Sequence, residues 1–419
     1  MPTVEQICAL AEQQLSDRFG GTQKITGCAQ LAGSGHAVVV RAKLAASPFL
    51  PNRSVVVKYI PVTDDELDDA ALVREIVAYQ FTTSLPEDAR PGPVLLAYDI
   101  PERTIVISDS GDGDTFAELL QTSDNERRVT ILRALGHALG RMHAATAKRE
   151  QDFETLRLRL ARRYPDAASI NRFRTNAQRL SIDQGVELIE SCGVHVPEAI
   201  RALGSQAQKL VTAGHRAFTP MDLSPDNIIV AERTQFLDYE WAAFRDVSFD
   251  LGSVIAGFPG FLSARPISDE EVDVFVEAWS REVERIWPNV NDEQALNTRI
   301  ITALVGLALG EVTTLHLGSS HNVVHAVAHA HNDDSVALVE DEVTPVERLL
   351  APAQTPGLTG ADRVLRRDLF ETFEALARFA ARAATTRAAD PQLQVVTGFA
   401  TELAARLDDG FITDGQAQP

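Results

Sequence analysis

A chain of 419 residues with 45% apolar side chains has the length for two or three lobes and the composition of a globular protein. Its formal net charge of −20 at pH 7 excludes a nucleic-acid backbone and an anionic membrane surface as partners, since both would be repelled at long range. The same charge is compatible with a cationic small molecule. Cys8, Cys28 and Cys192 are odd in number and scattered, so they predict neither a disulfide framework nor a metal site and point to a reducing compartment. There is no basic leader and no apolar run near about eighteen residues, and the sequence reads as a cytoplasmic protein.

Residues 3–18 carry Val4, Ile7, Cys8, Leu10, Ala11 and Leu15 on a helical stripe. Five strand-like runs follow, at 25–31, 37–44, 54–60, 94–98 and 103–107, with one helix over 65–84 between the third and fourth. The first two strands are joined by Leu31-Ala-Gly-Ser-Gly-His36. There Gly33, Ser34 and Gly35 are small enough for backbone N–H groups to approach phosphate oxygens, although a Gly-Ser-Gly hairpin alone is simply a turn. Lys58 ends the apolar run Val55-Val56-Val57, where an ammonium is costly unless a partner waits for it. Glu75 stands among apolar neighbours on the following helix. Glu66 competes for that partnership, but at the helix start it is explained by the helix dipole.

A loop at 110–114 leads into helical sequence from Thr115, and a long helix over 125–147 presents Val129, Leu132, Leu135, Leu139 and Met142 on one face. His137 and His143 within it read as packing or capping residues. Residues 151–216 form an Arg-rich helical insert, a candidate determinant of specificity, whose Arg157, Arg159, Arg162 and Arg163 are best read as a solvated face.

The stretch from Thr219 to Leu251 holds Asp222, Asn227 five residues later, Asp238 eleven after that and Asp250 twelve further on. Ile228-Ile229-Val230 and Phe236-Leu237 flank a polar turn and predict a β-hairpin. Such a hairpin brings Asn227 and Asp238 side by side with Asp222 close to both, a hard-oxygen arrangement suited to a divalent metal and phosphate. Residues 299–316 are nearly all apolar on one side and predict the core helix of the carboxy-terminal part. His321, His325 and His329 are spaced to share one helical face, which offers transition-metal ligation but reads more simply as a pocket-lining or surface helix. His316 and His331 flank them, and Glu311, Asp333 and Asp334 are acidic candidates for meeting ammonium groups or for solvated surface. Two amphipathic helices, 362–387 and 391–407, follow a turn-rich segment at 350–361; they are expected to pack on the helical lobe or to mediate a dimer.

In Asp222-Leu-Ser-Pro-Asp-Asn227, Leu237-Asp-Tyr-Glu240 and Asp246-Val-Ser-Phe-Asp250-Leu, the chain resembles the aminoglycoside phosphotransferase-like family of small-molecule kinases. The resemblance implies an α+β, two-lobed protein-kinase-like fold, with a small antiparallel-sheet lobe carrying one helix and a larger, mostly helical lobe. It implies an amino-terminal nucleotide-binding lobe over 1–108, a helical lobe over 109–348 containing the insert, and a helical extension over 349–419. It further implies ATP and Mg²⁺ as cofactors and a hydroxyl of an aminoglycoside, amino sugar, sugar or amino alcohol as acceptor. Asp222 would be the catalytic aspartate and Asn227 and Asp238 the metal ligands, with Asp250 bracing the catalytic loop. Lys58 held by Glu75 and the Gly33-Ser34-Gly35 turn would meet phosphates, and backbone groups from Ile107 to Asp109 would meet adenine. The family's His-Gly before the aspartate is replaced here by Pro220-Met221, which puts loop rigidity and rate in question. The eleven residues between Asp238 and Asp250 are too few for a long activation segment, and Glu240 stands where a protein kinase has Gly. Other classes to be tested are a non-catalytic nucleotide-binding interaction protein and nucleotidyl transfer on the same fold.

Overall fold

The Val- and Ile-rich runs form the strands that their branching favours, and the structure, a computed structural model, describes residues 1–31, 36–63, 65–165, 170–262, 265–332, 343–386 and 390–411. Strands β1 (Ile25–Gln30), β2 (Val38–Leu44), β3 (Ser54–Tyr59), β4 (Leu95–Asp99) and β5 (Thr104–Ser108) make an antiparallel sheet in the order β1-β2-β3-β5-β4. Helix α1 (Val4–Phe19) starts with a capping box between Thr3 and Gln6, and helix α2 (Glu66–Thr83) starts at Asp65, whose carboxylate accepts from Leu67 N at 2.7 Å. The two-residue period of β3 sorts its side chains between the helices. Val55 and Val57 pack with Ile7, Ala11 and Leu15 of α1, while Val56 joins the core that contains Ile76 and Val77 of α2. Lys58 shares the Val56 face and is thereby delivered to α2.

One expectation is corrected here: Cys8 of α1 and Cys28 of β1 are joined as a disulfide, with Cα atoms 6.9 Å apart. Their spacing says nothing of this. They meet because α1 folds back across the sheet, a contact between elements that no local pattern encodes. Cys192 is free.

The remainder is helical, built from α3 (Phe116–Thr122), α4 (Asn125–Thr146), α5 (Glu150–Arg163), α6 (Arg174–Ser191), α7 (Glu198–Leu210), α8 (Ser248–Ile255), α9 (Asp269–Val283), α10 (Glu293–His316) and α11 (Ser320–Asn332). Short strands interrupt them: β6 (Asp114–Thr115), β8 (Ile228–Val230) and β9 (Thr234–Phe236) form one small sheet, and β7 (Arg216–Thr219) pairs with β10 (Ala243–Asp246) in an antiparallel ribbon. The predicted hairpin at 228–237 is therefore present. By length and apolar content α10 is fit to cross a membrane, but 67% of its apolar window is buried inside the protein, where it is the central core helix. Helices α12 (Gly360–Thr386) and α13 (Pro391–Leu407) pack together, and α12 also lies against α10. Arg366, fully buried, ties this end down by donating to Leu349 O at 3.0 Å, Ala351 O at 2.8 Å and Asp409 at 2.7 Å.

Helix α6 approaches α10 through Gly185, where an added Cβ would lie 1.9 Å from Leu309 O. The neighbour is backbone and cannot swing aside. Gly185→Ala is expected to destabilise the protein by about 1–3 kcal/mol, read as a lower urea midpoint at unchanged m-value.

Candidate active site

The hairpin closes as the sequence predicts. Leu237 N donates to Asn227 O at 2.8 Å, which sets the two residues at its open end side by side. Asn227 closes the short turn Pro225–Asn227, and its side-chain amide reaches Asp222 Oδ2 at 3.4 Å, while Ser224 N donates to Asp222 Oδ1 at 2.8 Å. Asp238 leaves the hairpin with φ 57°, a left-handed conformation that turns its carboxylate back toward the sheet. There Asp238 Oδ1 lies 2.8 Å from Lys58 Nζ, and Glu75 Oε2 holds the same ammonium at 2.9 Å. The structure thus brings Lys58, Glu75 and Asp238 together across 180 residues of sequence, with Asp222 and Asn227 adjoining.

Burial disfavours the Lys58 charge, but Glu75 and Asp238 outweigh it and hold the ammonium's pKa above its ordinary value. Asp222 is exposed toward the cavity, yet the protein crowded around it disfavours its charge and raises its carboxyl, with further upward pushes from Asp238 and Asp226 against one backbone hydrogen bond from Ser224. Met221 occupies a left-handed φ of 71°, a conformation that glycine adopts freely. That conformation costs a residue with a Cβ about 1–2 kcal/mol. The altered Pro220-Met221 pair therefore stores strain beside Asp222.

Asp250 is fully buried and its hydrogen bonds run to His143 and Arg245. Trp279 Nε1 donates to His143 Nδ1 at 3.0 Å, which leaves His143 Nε2 to donate to Asp250 Oδ2 at 3.2 Å. Arg245 donates to Asp250 Oδ1 at 2.7 Å from β10, the strand that pairs with β7 directly before Pro220. Asp250 thus reaches the loop through the ribbon. His143 is structural, as expected.

Ile107 lies in β5 with paired strands on both sides, and Asp109 just beyond it is held by Arg41 at 3.0 Å. Gly33, Ser34 and Gly35 lie outside the described residues, as do Asp333 and Asp334.

Beside Asp222 opens a cavity of about 390 Å³. Its walls come from the insert through Arg174 on α6, from Trp241, from Glu311 on α10 and from Asp368 on α12. The Arg174 guanidinium stands 4.2 Å from the Trp241 ring and donates to Glu240 O at 2.7 Å, while its Nε and Nη2 are buried without a partner among the described residues. Burial and the Arg74 charge lower the Arg174 pKa to about 9. Both Glu311 oxygens are buried with no donor at ordinary hydrogen-bond geometry among the described residues, next to Asp368 and Thr372. Burial, then the Asp368 charge, raises the Glu311 carboxyl well above its usual range, and burial raises Asp368 too. Glu311 and Asp368 thus face the cavity as two carboxyl groups whose burial disfavours the ionised form.

Sequence reasoning named Glu311 but favoured solvated surface; it is buried. Arg174, Trp241 and Asp368 were not anticipated. Trp241 follows the Leu237-Asp-Tyr-Glu240 motif directly and could have been found by that proximity, whereas Asp368 carries no local signal. Of the α5 arginines, Arg159, Arg162 and Arg163 are exposed as a solvated face, whereas Arg157 is half-buried and paired with Glu154.

Residues 89–290 match the family described as phosphotransferase enzyme family. No curated protein matches the chain. Among solved structures, choline kinase from Cryptosporidium parvum Iowa II is similar at 10% identity and a TM-score of 0.44, over 82% of this chain and 99% of that one. Choline kinase LicA from Streptococcus pneumoniae is similar at 14% identity and a TM-score of 0.40, over 78% and 98%. The streptomycin–ATP–APH(2")-IIa ternary complex is similar at 12% identity and a TM-score of 0.42, over 83% and 99%.

Proposed function

We propose that this chain, matched to the phosphotransferase enzyme family over residues 89–290, transfers the γ-phosphoryl group of ATP to a hydroxyl of a small molecule that carries an ammonium group. The observation that carries this reading is the Lys58 ammonium fixed between Glu75 and Asp238, next to a cavity that opens on Asp222. An ammonium so held is a counter-charge set out for phosphate oxygens. Asn227 and Asp238 offer hard oxygen atoms, and the upward push of Asp238 on Asp222 marks an excess of negative charge that fits a divalent cation. Mg²⁺ held there would neutralise phosphate charge. Asp222 accepts the proton of the acceptor hydroxyl as its oxygen bonds to phosphorus, and the phosphoryl group parts from ADP. At the far wall, Glu311 and Asp368 take the acceptor's ammonium group.

The reading is tested by following ADP formation with Mg·ATP against aminoglycosides, amino sugars, neutral sugars and amino alcohols. An amine-bearing acceptor is expected to raise the rate, with ADP rather than pyrophosphate as co-product. If no acceptor raises ADP and calorimetry detects no Mg·ATP binding, the reading fails. With the acceptor found, Glu311→Gln is expected to raise its KM about tenfold, equal to about 1.4 kcal/mol, and to leave the KM for Mg·ATP unchanged. An unchanged acceptor KM would remove Glu311 from recognition.

A further inference from the structure

Helix α11 lies against the start of α2 and presents two imidazoles to two carboxylates. His325 Nε2 is 2.8 Å from Asp65 Oδ1; His321 Nδ1 is 3.7 Å from Asp65 Oδ2 and 3.9 Å from Asp68 Oδ1. One ligand atom from each of Asp65, Asp68 and His321 falls within 4.8 Å of the others. His321 and His325 are four residues apart on one helix, so one face offers both rings to Asp65. All four side chains are half-buried, which leaves an ion a path in.

We propose that His321, His325, Asp65 and Asp68 form a site for a divalent transition metal, with Zn²⁺ as the best fit. Two imidazole nitrogens with two carboxylate oxygens suit an ion of intermediate softness, whereas Mg²⁺ and Ca²⁺ take oxygen. Ligands about 2.0–2.1 Å from a tetrahedral ion stand about 3.3 Å from one another. The distances from the two imidazoles to the carboxylates, 2.8, 3.7 and 3.9 Å, bracket that spacing; Asp65, Asp68 and His321 already cluster, and His325, in contact with Asp65, completes the set by turning toward it. The site stands apart from the Lys58 cluster and does not rest on the kinase reading. Its position nonetheless links two working parts. Asp65 caps the helix that carries Glu75, and Val323 and Val324 of α11 line the cavity beside Asp222. An ion at this point joins the helix that holds Lys58 to the wall of the acceptor cavity.

The test uses the full chain stripped of metal with a chelator. Titration with Zn²⁺ in a calorimeter is expected to give one tight equivalent, and Co²⁺ is expected to give the visible absorption of a tetrahedral nitrogen–oxygen site. His321→Gln with His325→Gln should weaken that binding about a hundredfold or more, while His195→Gln leaves it unchanged. Circular dichroism confirms that the double variant is folded, and Asp68→Asn, which spares the cap at Asp65, provides a second variant expected to weaken Zn²⁺. Absence of a stoichiometric Zn²⁺ equivalent, or full retention in the folded double variant, overturns the proposal.

Discussion

Asp222→Asn is expected to bind Mg·ATP as the parent does and to form ADP about 10²–10⁴-fold more slowly with the acceptor. The substitution keeps shape and the Ser224 N–H contact available to an oxygen, but removes the group that takes the hydroxyl proton. Turnover within a fewfold of the parent would show that Asp222 is not the base. A pH profile adds a readout that a merely structural role would not move. The protein crowded around Asp222, with the Asp238 and Asp226 charges, raises its carboxyl, so kcat/KM should fall on the acid side at a pH above the usual carboxylate range. Asp226 is exposed and touches this limb only through its charge. Asp226→Asn should therefore move the acid limb to lower pH by about a few tenths of a unit.

Lys58→Met carries the second large effect. The Lys58 side chain is 13% exposed and Glu75 only 2%, so the substitution leaves a buried carboxylate uncompensated, with Asp238 beside it. Breaking such a pair costs about 3–5 kcal/mol, and activity is lost with the phosphate counter-charge. The loss has a pH signature. Burial pushes Glu75 up to about 8 even with Lys58 opposing it, and removing Lys58 drives it higher. A carboxyl whose folded pKa is raised leaves its full stability in place below its unfolded pKa and loses it as pH rises through the folded value. The deficit relative to the parent should therefore grow as the pH rises above about 8, where the parent's Glu75 ionises against Lys58 and the variant's has no counter-charge, and be smallest below that pH, measured by urea denaturation. A deficit that does not vary with pH would mean that Glu75 is not the group left stranded. Adding Glu75→Met should restore stability without restoring activity.

These expectations rest on contacts that were unevenly legible in the sequence. The five strands and α2 were found within a residue or two, because alternation and turn residues act locally. Lys58 announced itself as a charge on an apolar strand, and Asn227 and Asp238 by flanking a hairpin that could close only one way. Cys8 and Cys28 did not, since their pairing depends on where α1 lands. Arg174 was one arginine in an Arg-rich insert, and only packing distinguishes it from the solvated arginines of α5. His321, His325 and His329 were seen to share a face, but the carboxylate partners of the first two lie about 260 residues away at the start of α2. Local pattern carries what a residue is suited for; only the fold supplies what it meets.

The phosphotransferase match ends at residue 290, yet the far wall of the cavity comes from Glu311 and from Asp368 on α12. Under the proposed function, the residues assigned to phosphoryl transfer lie upstream of that boundary, and the cavity that would receive the acceptor is completed downstream, by a segment anchored through Arg366. A change on α12 therefore reshapes the far wall of the cavity while leaving Lys58, Glu75 and Asp238 where they are.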